Sequence, residues 1–493
     1  MKTTMKTTKM MGYFAGFALV MVFLIAFSSN TFGQITITGD ETAKEVAGNG
    51  GKYTHKANAE ADTVDVKGKS TMLYNYGHFN TVNVSEGMFN YTGNGYWGYA
   101  GSSVGTLNVE EGRAESRGHI DTVNIGIGTG DAVFINSLTG TVGTMNLENK
   151  GKRIDVYNSA FIDTVNINGA DRLNTYVSND AGGHINTANI IGGDFRNSST
   201  IDLVNVKDKG DVTNWSAGHI EMLNINGEGG FVVNLGDIKT ANIDKGLLRN
   251  DNGSTTGTVT IGDNGRLISY KNAHIDTVYL NGGSVENVGR IDALTYTQGT
   301  YRGSQISGTV FKGPGSIGTL TVAGTMAASN GDWGIVENLD FQSDGSGLVK
   351  LAGYTSKGNT SFTGIKADHV DFAFGNIGLD LTKAITFDTD WILSFIDMNL
   401  VNDISFATLF NAEEVTNAWD LNSFFVNWGT DTNFGILDNG RFADGWGFNS
   451  DYTWFTYSEG STITASATPE PATLVMLGLG LMSLPLARRL RKK

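Results

Sequence analysis

Five of the seven histidines, His78, His119, His184, His219 and His274, precede one position of a recurring phrase, and that position is often an acid: Asp121, Asp163, Asp202, Asp276 and Asp292. Imidazoles and carboxylates at fixed spacing are the raw material of a zinc site or of a glycoside-cleaving acid pair. The spacing argues against both. The histidines fall in copies 2, 4, 7, 9 and 12 of the phrase, so copies stacked about 4.8 Å apart would hold neighbouring imidazoles about 10 Å or more from each other. Two imidazoles on one zinc each lie about 2 Å from it. Elsewhere the acidic position carries Gly105, Asn186, Lys239 or Gly257, a mixture that reads as bend chemistry. A catalytic pair would break the repeat, and no copy departs in that way. No catalytic residue, metal ligand or cofactor is therefore expected, and the histidines read as exposed corner residues. Cysteine is absent, which removes thiol nucleophiles, disulfides and Cys-ligated metals. The calcium-binding nonapeptide is missing too, since Asn281-Gly282-Gly283-Ser284 lacks its Gly-x-Asp continuation.

The elements that carry these residues repeat. Examples of the phrase are Asn80-Thr81-Val82-Asn83-Val84, Asp121-Thr122-Val123-Asn124-Ile125 and Asp163-Thr164-Val165-Asn166-Ile167. Between residues 61 and 324 it returns in about 14 copies, with a mean period of about 20 residues. Apolar and polar residues alternate over four or five positions, which predicts half-buried strands, two or three per turn, with Gly and Asn at the bends. A right-handed parallel β-solenoid follows, each coil pairing with the coils above and below; an antiparallel meander is the competing arrangement. If Val123 and Ile125 face inward, Thr122 and Asn124 face outward. Such files would form a hydrogen-bonded ladder along the body or, in the sharper alternative, an ice-binding face.

Composition agrees with this. Of 493 residues, 66 are Gly and only 4 are Pro, with 17% charged, 40% hydrophobic and 10% aromatic. Collagen and wholesale disorder are both excluded. Residues 34–60 read as an N-terminal cap of the solenoid. Residues 325–465 read as a smaller C-terminal β domain or cap, because the phrase fades there and six of the eight Trp appear: Trp333, Trp391, Trp419, Trp428, Trp446 and Trp454. Those aromatics either fill a β core or offer platforms to sugar rings. A short helix is expected within Phe406 to Trp419.

Both ends differ from the body. Residues 1–33 run from Lys2, Lys6 and Lys9 through an apolar stretch to small residues, the order of a secretory signal peptide. At the other end Pro469-Glu470-Pro471 precedes an apolar run, 472–487, and the basic cluster Arg488, Arg489, Arg491, Lys492 and Lys493. That run reads as a transmembrane segment with its basic end held in the cytoplasm. Without both ends, Lys and Arg fall from 35 to 27 and Asp and Glu from 50 to 49, a net charge of −22. Such a surface repels nucleic acid and anionic lipid.

The tail, residues 468–493, resembles the PEP-CTERM sorting signal of Gram-negative bacteria, in its Pro-Glu-Pro, its apolar span with Gly478 and Gly480, and its basic end. The resemblance implies recognition by an exosortase, a transient stay in the inner membrane through 472–487, and processing near Pro469, Glu470 and Pro471. It also implies a host that makes exopolysaccharide, which becomes a further candidate partner. The expected function is that of an exported structural or adhesive protein of the cell surface or extracellular matrix, and not an enzyme. A polysaccharide-binding or polysaccharide-degrading β-helix is the alternative.

Overall fold

A computed structural model describes residues 34–37, 46–47 and most of 52–380, and beyond these short strands between 404 and 464. The signal peptide expected at 1–33 and the sorting tail at 468–493 lie outside the described residues. The chain divides into two compact units, Met1–Gly257 and Thr258–Lys493. Parallel β-solenoid is found in both, about 14 turns in all.

In the first unit a turn typically supplies a long strand and a short one, and at Asp237–Asn250 the two run together. His119–Ile125 is followed by Ala132–Asn136, Thr141–Asn149 by Ile154–Asn158, and Phe161–Gly169 by Thr175–Asn179. Long strands pair in parallel with long, and short with short. The phrase is held in register: Thr122 lies beside Thr106 and Thr144, and Val123 beside Leu107 and Met145. Ile120, Val123 and Ile125 are fully buried, as are Ile162 and Val165. Asp121 and Thr122 both face outward in succession. Since strand side chains alternate faces, that pair turns a corner, so the bend read from the sequence lies inside one continuous long strand. Parallel pairing also includes Gln34–Ile37 with Lys52–His55, so part of the segment read as a cap pairs as the repeats do.

Two files of asparagine run along this unit. In the outer one, Asn242, Asn224, Asn205, Asn189, Asn166, Asn146, Asn124 and Asn108 each donate from Nδ2 to the Oδ1 of the preceding turn's Asn, at 2.7–3.0 Å. Asn83 ends the file on Asp65. The inner file closes each short strand: Asn136, Asn158, Asn179, Asn197, Asn214 and Asn234 each donate to the Asn of the following turn, ending on Asn250, at 2.8–3.2 Å. The two chains of amide dipoles thus run in opposite directions. A directed chain leaves one spare acceptor and one spare donor, and Asn136 Oδ1 and Asn250 Nδ2 are indeed buried without partners. Glycine guards the inner file: a Cβ at Gly140, Gly183 or Gly218 would strike the Oδ1 of Asn136, Asn179 or Asn214.

In the second unit His274–Asn287 pairs in parallel with Arg290–Arg302, which pairs with Ser316–Val322, then Ile335–Phe341, then Ala367–Asp371. The parallel ladder therefore continues beyond residue 324, where the phrase fades. A second sheet joins Thr325–Ala327, Leu348–Ser356, Asn376–Asp380 and Ser423–Asn427 in parallel. Within the stretch from Phe406 to Trp419 where a short helix was expected, Glu414–Thr416 is a strand paired with Ala367–Asp371; the rest of that stretch lies outside the described residues. Trp333 is buried, stacked on Tyr301 at 5.0 Å and edge-on to Tyr296 at 5.6 Å, so it fills the core. Trp391, Trp419, Trp428, Trp446 and Trp454 lie outside the described residues.

Candidate functional site

The long strands begin at the repeated histidine and turn their corner two residues later, so each imidazole meets the corner residue of its own turn or of the next. His78 contacts Ser103 Oγ at 2.7 Å and Asn80 Oδ1 at 3.1 Å. His119 contacts Thr141 Oγ1 at 2.8 Å and Asp121 Oδ1 at 2.7 Å, and His184 meets Asp202 Oδ1 at 3.0 Å. His219 uses both nitrogens, Nδ1 on Asp237 at 2.6 Å and Nε2 on Glu221 at 3.4 Å. The register separates the histidines as expected, with Thr200 standing between His184 and His219.

The spacing argument considered histidine against histidine and passed over histidine against carboxylate. In the second unit His274 and Arg290 start adjacent strands, which brings Asp276 and Asp292 to the same imidazole nitrogen. His274 Nε2 lies 2.8 Å from Asp292 Oδ2 and 3.9 Å from Asp276 Oδ1. One ligand atom from each of the three residues lies within 4.8 Å of the others. Arg290 donates from Nε to Asp292 Oδ1 at 2.7 Å and from Nη1 to Glu337 at 2.8 Å. Burial raises the Asp292 carboxyl, but the hydrogen bonds from His274 and Arg290 outweigh it and hold the group below the usual carboxylate range. The signal for this trio was present in the sequence as His-x-Asp at 274–276 followed by Asp292 at the same position of the next copy.

Asp163 accepts from Asn186. Glu221 is held below its usual range by Lys239 and then His219. Asp340 and Asp371 lie on adjacent strands, and burial together with the Asp371 charge pushes the Asp340 carboxyl up; sequence reasoning passed over that pair. The outward Thr file is continuous from Thr63 to Thr187, then gives way to Leu203 and the exposed Met222.

Residues 467–492 match the PEP-CTERM protein-sorting motif. The chain carries a PEP-CTERM sorting tail. The match includes Pro469, Glu470, Pro471, the apolar run 472–487 and the basic residues Arg488, Arg489, Arg491 and Lys492. A PEP-CTERM tail implies exosortase-dependent export through a membrane-anchored intermediate. Among the described residues no helix is long and apolar enough to cross a membrane, and 472–487 lies outside them. No curated protein and no solved structure matches the chain.

Proposed function

We propose that this PEP-CTERM protein is a non-catalytic structural or adhesive component of the cell surface or extracellular matrix of a Gram-negative exopolysaccharide producer. The observation that carries the reading is the inner asparagine ladder from Asn136 to Asn250. Buried amide networks rigidify the turns they join, this one being satisfied at every link between its two ends, and a sorting tail delivers that rigid body outside the cell. The corner acids support a structural role as well, because they bond to neighbouring side chains turn after turn.

A polysaccharide-binding role is the second reading. It is favoured by the exposed Tyr76, stacked on Tyr99 at 4.1 Å, and by Arg113, which lies 5.8 Å from the Trp97 ring centroid. Incubating the exported protein with host exopolysaccharide separates the readings. The structural reading expects no new reducing or unsaturated ends, and their appearance would overturn it. Retention of the polymer on immobilised protein, lost in Tyr76→Ala/Tyr99→Ala, would establish the binding role.

A further inference from the structure

We propose that His274, Asp276 and Asp292 bind one divalent transition-metal ion, with zinc as the best-suited probe. Both carboxylates face the same nitrogen, His274 Nε2, from two adjacent strands. A ring N–H satisfies the nearer carboxylate at 2.8 Å, while Asp276 at 3.9 Å lies beyond hydrogen-bond reach. A metal ion at the centre would serve all three. With metal–ligand bonds of about 2.0–2.2 Å in a tetrahedron, donor atoms stand about 3.4 Å apart. The separation of His274 from Asp292 must open and that from Asp276 close by about half an ångström each, and the two carboxylate oxygens, within 4.8 Å of one another, must come to the same spacing. The side chains have room for this, being 42%, 66% and 44% exposed for His274, Asp276 and Asp292.

His219 shows the contrast. Its two carboxylates sit on different ring nitrogens, so no common centre exists. At His274 an imidazole ligand and two carboxylates carry two negative charges to set against a doubly charged ion. The imidazole donor selects a transition metal over calcium or magnesium. Arg290 binds the far oxygen of Asp292 and is itself held by Glu337; it aims Oδ2 at the site and its charge weakens the binding it orients. Three protein ligands leave a fourth position open to water or an exogenous group.

The test is a zinc titration by calorimetry on the tag-free, metal-stripped exported protein, with cobalt absorption as the spectroscopic check. The expected result is one saturable equivalent, with tetrahedral cobalt bands, lost in His274→Ala and in Asp276→Asn and retained in His219→Ala. Arg290→Gln should tighten binding several-fold. Circular dichroism confirms that each variant keeps its strands. No saturable equivalent in the wild type, or equal binding by His274→Ala, would mean an adventitious ion only and would overturn the site.

Discussion

A buried imidazole with one hydrogen-bond partner sets a pH limit on the first turns. His55 is fully buried, lies 4.1 Å from the Phe79 ring, and bonds through Nδ1 to Asn75 Oδ1 at 2.9 Å, while its Nε2 has no partner. Desolvation lowers its pKa from the ordinary 6.5, and the Asn75 hydrogen bond only partly opposes this. The folded state therefore favours the neutral ring. The stability tied to that preference is complete above about pH 6.5 and is lost as pH falls below it, through the depressed folded-state pKa. His55→Gln should flatten this acid loss: the gap in unfolding free energy between pH 7 and pH 5 narrows in the variant, and parallel curves would count against the assignment. Nothing in the local sequence marks His55, because its burial comes from Asn75 and Phe79 of the following turn.

At the scale of strands and turns, the sequence shows the outer asparagine file plainly, since that Asn belongs to the alternating phrase. The inner file is harder to see. Its residues, such as Asn179, Asn197 and Asn214, stand before His or Thr in short polar stretches that read as ordinary bends, and only the stacking of turns buries them. The same reasoning explains the missed strand at Glu414–Thr416, whose pairing comes from Ala367–Asp371 and not from local periodicity. The two files should differ energetically. Asn197→Ala orphans the buried Asn214 Oδ1 and leaves Asn179 Nδ2 with Thr200 O alone at 3.2 Å, at a cost of about 1–3 kcal/mol for the unsatisfied oxygen. Asn205→Ala lies on the outer file, where water replaces the lost partner, and should cost about 1 kcal/mol or less. Denaturant unfolding of the two variants checks this, and equal losses would show that the inner file is no more consequential than the outer.

For the whole molecule, the parallel solenoid and the sorting tail were both legible, the first because period and alternation agree over many copies, the second because motif, apolar run and basic end occur in order. The His274 trio was passed over although its residues stand at repeating positions, because it forms between adjacent copies and the spacing was weighed only between histidines. Export is the central claim, and its chemistry is local: proline disfavours helix, so Pro469 and Pro471 beside the apolar run suit a segment offered to the exosortase that the motif implies. Processing there would leave the basic cluster from Arg488 to Lys493 behind. Intact-mass measurement of the exported protein tests this most directly. The expected species ends near Pro469–Pro471 and lacks 472–493; a mass that still includes Arg488 to Lys493 would show that the tail is a retained anchor and would contradict processing at the motif.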